Sequence, residues 1–182
     1  MNSIKNKDQL VTFLKIIQMN LFLSKLCLTN VTQESFTEIM EIKDTEGIVE
    51  HEVLNDLKKF KEKDISFEML IDNCHRSFSR LFLREVFEVV KLYCENTRQK
   101  KIFYNWEYCN FFRVQRNCIS HGLGGYLSKW PDDLYKKKIL TVSWKNLTLR
   151  EEDIKLEKEI GLGYTATIMA FNDYLDFTQK LS

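Results

Sequence analysis

Proline and glycine are scarce in this sequence, which has one proline and six glycines in 182 residues. An all-β sandwich needs many turns, and turns use these two residues heavily, so the composition argues against that class. Hydrophobic residues make up 44% of the chain and aromatic residues 13%, which excludes a disordered or low-complexity protein. The length suits one domain with a substantial core, so we expect a single helical domain over residues 1–182.

Paired cysteines are also lacking. The five cysteines are odd in number and include no C-x-x-C pair, so neither a disulfide framework nor a zinc module is indicated. Each lies in an apolar helical stretch, which predicts buried free thiols in a reducing compartment.

Targeting and cofactor signals are missing as well. The N-terminal residues have no secretory pattern, and polar side chains interrupt the most apolar window, 16–28, so we predict a cytoplasmic protein with no membrane partner. No cluster of Asp, His and Glu has metal-ligand spacing, and neither a P-loop nor a G-x-S-x-G motif is present. The sequence therefore predicts no metal and no cofactor.

The formal net charge of +1 conceals an uneven distribution of charge. Residues 34–68 contain eleven acidic residues and five lysines, whereas segments 96–116 and 127–150 each carry a net charge of +4. These two segments predict a basic surface that could hold phosphates, although solvated helix faces would give the same pattern. A sequence-independent DNA coat is excluded, because its overall charge would be strongly positive.

Apolar spacing predicts a series of helices. They cover residues 7–28, a short segment from 32 or 37 to 40, and residues 48–60, 66–97 and 105–121. Ser66 and Asn105 are candidate N-caps, and Gly122 follows directly after His121, where a helix should stop. Residues 99–104 are expected to form a basic turn.

The segment near 138–148 predicts a small β element. Residues 138–144 read as a strand that Lys145 and Asn146 could turn back. Residues 148–151, Thr-Leu-Arg-Glu, resemble a capping box that would open the last helix, with apolar residues from Leu156 to Leu175 at helical spacing. The fold class expected is therefore all-α, a bundle of about 4–6 helices with one small β element.

Three residues near the end of the 105–121 helix combine groups that could act on a phosphodiester. Arg116 offers a permanently charged fork for phosphate oxygens, His121 can exchange a proton near neutral pH, and Asn117 can hold a neighbour in place. The alternative is structural, because an Arg and a His at a helix end can simply bond the last carbonyl groups.

The stretch RNCISHG resembles the signature of the HEPN superfamily, in which an Arg and a polar residue are followed, after three variable positions, by a His. The resemblance covers residues 5–180 at the level of the fold and residues 106–125 at the level of individual residues. It implies a metal-independent endoribonuclease that works as a homodimer. His121 would be the general base on the ribose 2′-hydroxyl, Arg116 would stabilise the transition state, and Asn117 would orient one of them.

This resemblance also implies partners and supporting residues. The substrate would be RNA, and a cognate antitoxin or sensor protein would control a toxin of toxin–antitoxin or phage-defence type. Candidate substrate-binding residues are Arg113, Lys100 and Lys101, and Glu85 or Glu88 could support the site. Two alternatives stay open: a HEPN-like module that binds nucleotide, RNA or a partner without catalysis, and a purely structural helical partner.

Overall fold

The computed structural model describes residues 4–35, 66–121, 127, 129–156 and 162–182, with side chains up to residue 118 in the second range. Contacts divide the chain into two compact units, one formed by residues 1–21 and 76–182 and the other by residues 22–75. All of the candidate site residues belong to the first unit. The single domain expected over residues 1–182 stays a prediction.

Two long helices match the predicted helical segments closely. Helix α1 spans Lys7–Asn30 and helix α2 spans Phe67–Asn96. The Ser66 hydroxyl accepts a hydrogen bond of 3.2 Å from the Met69 amide, which confirms the predicted N-cap. The short helix predicted from Thr32 or Thr37 to residue 40 starts after Thr32, because residues 33–35 are helical and the Ser35 amide donates to Thr32 Oγ1 at 3.1 Å. The rest of that segment, the helix predicted over 48–60 and the glycines after His121 lie outside the described residues.

Helix α1 corrects the expectation that no segment has the length and apolarity of a membrane span. Over Lys7–Asn30 it is long and apolar enough to cross a bilayer by length and composition. The core helix of a soluble protein meets the same test. Leu10, Leu14, Ile17 and Leu21 of α1 are buried, but only 22% of its apolar window is buried within the protein, whereas a core helix is mostly buried.

The chain between α2 and the motif departs from the prediction. Residues 100–104 form a short helix, α3 (Lys100–Tyr104), instead of a turn, and Asn105 is its C-cap instead of the N-cap of the next helix. Helix α4 then spans Cys109–His121. The last helical turn of α4 therefore carries the end of the motif, as predicted.

A short helix, α5 (Asp132–Lys136), precedes the small β element. Strands β1 (Thr141–Trp144) and β2 (Leu147–Arg150) pair antiparallel, with Thr141 opposite Arg150 and Trp144 opposite Leu147. The predicted fold class, mainly helical with a β element near 138–148, is confirmed.

The predicted capping box at residues 148–151 is wrong. Thr148 lies opposite Ser143 in the hairpin, and a 3₁₀ helix over Glu151–Leu156 follows β2. The last helix, α6, begins only at Tyr164 and ends at Gln179. Thr148, the residue that could have capped a helix, pairs with β1 instead.

Aromatic packing fixes α4 against the hairpin and α6. The ring of Phe112 lies 5.5 Å from Trp106, 5.6 Å from Trp144 and 4.8 Å from Tyr174, measured between centroids. Phe112, Trp144 and Tyr174 are almost completely buried. Large buried aromatic rings contribute heavily to a core, so this cluster sets the position of the motif helix.

The cysteines only partly follow the expectation of buried thiols. Cys94, Cys109 and Cys118 are buried, and burial raises the pKa of each thiol to about 12, which keeps them protonated and unreactive. Cys27 is exposed and Cys74 is half-buried, so the prediction is wrong for these two.

Candidate functional site

Helix α4 places three of the predicted residues in one row. Arg113, Asn117 and His121 are spaced by four, so they share a face of the helix. Arg113 and Asn117 both line an open cleft. His121 is the last residue of the helix and its side chain lies outside the described residues, so its approach to Arg116 stays a prediction.

Arg116 is held by one residue of α2 and by its neighbour in the motif. Its Nε donates a hydrogen bond to the Glu88 carboxylate, and its Nη1 donates to Asn117 Oδ1 at 3.2 Å. The side chain is about a third exposed, at 30%. Within the part of the chain that the structure describes, the Nη2 donors of Arg116 meet no acceptor. The guanidinium is thus oriented, and two of its N–H groups have no partner among the described residues.

The acidic support for Arg116 comes from Glu88 and not from Glu85. Glu88 lies between two cations, because Lys91 Nζ is 3.8 Å from its other carboxylate oxygen. Glu85 is exposed and makes no ion pair with any residue in the described ranges. Glu88 reaches Arg116 across the packed α2 and α4 helices, 28 positions along the chain.

Arg113 already has an anionic partner. Its Nη1 and Nη2 donate to the two carboxylate oxygens of Asp133, at 2.6 and 2.5 Å, in a fork-to-fork pair. The guanidinium carbon lies 5.7 Å from the centroid of the Tyr104 ring, within cation–π range. A phosphate could bind this fork only by replacing the Asp133 carboxylate.

Lys100 and Lys101 lie on α3, and Lys100 contacts the same Tyr104 ring as Arg113 does. Lys100 Nζ is 3.6 Å from the Glu95 carboxylate and 5.9 Å from the centroid of the Tyr104 ring, and Lys101 is exposed. Neither lysine lines the clefts described here. Their role in substrate binding stays a prediction.

Two open clefts adjoin the motif and share Arg113 and Asp133. The first, about 390 Å³, is lined by the motif residue Asn117 together with Lys129, Trp130 and Lys136, among others. The second, about 560 Å³, includes Tyr104, Asn110 and Lys137. Sequence patterns do not predict Lys129, Lys136 or Lys137 individually, although the net charge of +4 over residues 127–150 indicates a basic surface there.

The Arg113–Asp133 pair predicts a dependence of stability on pH. The hydrogen bonds from Arg113 hold the pKa of the Asp133 carboxyl below its ordinary value. A carboxyl with a lowered folded-state pKa stabilises the protein fully above its unfolded-state pKa and loses that contribution as the pH falls through the folded-state pKa. We expect Asp133→Asn to be less stable than the wild type near neutral pH. The difference should shrink as the solution is acidified below the ordinary carboxyl pKa.

Urea unfolding of both proteins across the acidic range measures this effect. Asp132→Asn is a matched control, because Asp132 is a mostly exposed neighbour whose ion pair with Lys129 is on the surface. A stability difference between wild type and Asp133→Asn that stays constant down to acid pH would contradict the linkage.

The arrangement can bind phosphate oxygens beside a hydrogen-bonding amide at the end of one helix. Arg116 supplies an oriented cation and donates to Asn117, which lines the first cleft, while Arg116 itself is not among the residues that line it. Cations around an open cleft raise the local concentration of anionic ligands.

No protein-family model matches the chain, and comparison with curated proteins and with solved structures found no match either.

Proposed function

We propose that this protein is a metal-independent endoribonuclease of the toxin–antitoxin or phage-defence type. The observation that carries the proposal is the orientation of Arg116 by Glu88 and Asn117, which leaves its Nη2 edge without an acceptor among the described residues. An arginine held in this way is prepared for a phosphate before any substrate arrives, and preorganised donors are the most effective way to stabilise developing negative charge.

The reaction uses the motif residues in separate roles. His121 removes the proton of a ribose 2′-hydroxyl, and the 2′-oxygen forms a bond to the adjacent phosphorus. The bond from phosphorus to the 5′-oxygen of the next nucleotide then breaks, that oxygen takes a proton from solvent water, and His121 returns its proton to the solvent. Arg116 stabilises the extra charge on the phosphoryl oxygens, and Asn117 holds Arg116. The products are a 2′,3′-cyclic phosphate and a 5′-hydroxyl.

We further propose a homodimer, since one copy of the motif supplies few functional groups and two facing copies would double the positive field on the phosphate. A cognate antitoxin or sensor protein would then control the activity in the cytoplasm. Light scattering that shows only monomer at micromolar concentration would contradict the site formed by two facing copies. It would not bear on the role proposed for Arg116.

The test of the function is cleavage of RNA by purified protein in excess chelator. We expect cleavage to persist, the new ends to carry 2′,3′-cyclic phosphate and 5′-hydroxyl groups, and DNA of the same sequence to resist because it lacks the attacking hydroxyl. Cleavage that stops when metal is removed would contradict the proposal. Binding of RNA without cleavage would support the non-catalytic module instead. If the protein shows no binding and no cleavage, the result would support a structural partner.

A further inference from the structure

We propose that the two adjoining clefts form one groove for the backbone of single-stranded RNA next to the cut, with Asp133 occupying the phosphate position on Arg113 until RNA replaces it. This inference rests on the proposed function for the identity of the ligand. The groove runs along the face of α4 that carries Arg113, Asn117 and His121, and both clefts include Arg113 and Asp133.

The Arg113 fork has the geometry of a phosphate site. A carboxylate and a phosphate both present two oxygens to the parallel N–H bonds of a guanidinium, and Asp133 accepts both bonds at 2.5–2.6 Å. The Asp133 side chain is 44% exposed, so water and competing anions can reach the pair. A phosphate that replaces this carboxylate forms the same two hydrogen bonds to Arg113, so the exchange keeps the fork satisfied.

Cations outnumber carboxylates along the groove. Arg113, Lys129 and Lys136 line the first cleft and Lys137 lines the second, against Asp132 and Asp133. Lys129 pairs with Asp132 at 3.2 Å, but both side chains are 72% exposed, so this pair is strongly screened by solvent. When RNA replaces Asp133 on Arg113, the groove offers four cations to the backbone.

The spacing along α4 suits consecutive phosphates. Arg113 and Asn117 are four residues apart, which places them about 6 Å apart along the helix axis. That rise is comparable to the separation of neighbouring phosphates in an extended strand. A phosphate on Arg113 would thus lie one step along the strand from a phosphate at the Asn117 and His121 end of the row.

Binding of a short 2′-O-methyl oligoribonucleotide, which cannot be cleaved by 2′-oxygen attack, tests the groove. Its affinity is measured by fluorescence anisotropy at several salt concentrations. For a single strand, each lost phosphate contact lowers the slope of log affinity against log salt by about 0.7, so the double variant Lys129→Ala/Lys136→Ala should lose about 1.4. We expect Asp133→Asn to bind several-fold more tightly, because it removes the competing carboxylate.

The matched control is Lys15→Ala/Lys155→Ala, which removes two exposed lysines that line neither cleft and should keep the wild-type slope. Three results would each overturn the proposal. The first is an unchanged slope of log affinity against log salt in Lys129→Ala/Lys136→Ala, and the second is an equal loss of that slope in both double variants. The third is an unaltered affinity of Asp133→Asn for the probe.

Failure of the groove and failure of the proposed function give different results. If wild-type protein cleaves RNA but Lys129→Ala/Lys136→Ala binds the probe normally, the proposed groove is contradicted and the proposed nuclease function is retained. If the wild type cleaves nothing but the salt slopes shift as expected, the nuclease is wrong and the groove stands as a binding site for RNA.

Discussion

Replacing His121 by alanine is expected to lower the rate of RNA cleavage about 10²- to 10⁴-fold, the range typical for loss of a general base. The loss should appear in kcat, because the imidazole acts on the 2′-hydroxyl in the transition state and contributes little to ground-state binding. Single-turnover cleavage in the presence of chelator measures it. The pH–rate profile of the wild type should also show a group that must be deprotonated, and this limb should vanish in the variant.

His75→Ala is the matched control for this experiment. His75 is half-buried in the middle of α2 and has no place in the proposed mechanism. We expect it to cleave RNA at the wild-type rate. If His121→Ala retains full activity, or if both histidine variants lose it equally, His121 is not the general base.

Replacing Arg116 by alanine should lower kcat about 10²- to 10³-fold, the cost of losing one preorganised donor at a developing anion. Arg116→Lys should recover only a small part of the rate, because lysine keeps the charge but not the fork that meets both Glu88 and Asn117. Full activity in Arg116→Lys would show that charge alone is sufficient and that the orientation of the guanidinium is unimportant.

Glu88 provides a finer test of the same orientation. As a positioning residue for Arg116, Glu88→Ala should lower kcat about tenfold with little change in KM, in line with residues that orient a functional group through one contact. Glu85→Ala removes an exposed carboxylate one turn earlier on α2 and should have no effect. Equal losses in the two variants would point to a general change of charge near the site instead of the positioning of Arg116.

The elements with strong local signals were predictable from the sequence. The stripe from Leu10 to Leu21 and the Ser66 cap are local features, and both long helices begin and end within two residues of the prediction. The second strand was misassigned because Thr148 can either cap a helix, with Glu151 as its partner, or pair with β1. Pairing with Ser143 and Val142 decided the outcome, and only tertiary structure reveals that choice.

The site was predictable only where its residues are close in sequence. The spacing of Arg116, Asn117 and His121 is local, and the hydrogen bond between Arg116 and Asn117 agrees with the orienting role assigned to the amide. The choice between Glu85 and Glu88 depends on how α2 turns towards α4, which periodicity does not specify. The pairing of Arg113 with Asp133 was missed for the same reason, since twenty residues and a loop separate the two.

Trp130 gives the first cleft an intrinsic reporter. Its indole is 4% exposed and forms part of the cleft wall, and its Nε1 donates to the Ile139 carbonyl at 2.9 Å, which fixes the ring. Trp106 and Trp144 lie instead in the aromatic cluster around Phe112. The emission of a fixed fluorophore responds to changes in its immediate surroundings. We expect occupancy of the cleft to change the Trp130 part of the native tryptophan emission, and Trp130→Phe to lose that change, without a dye on either molecule.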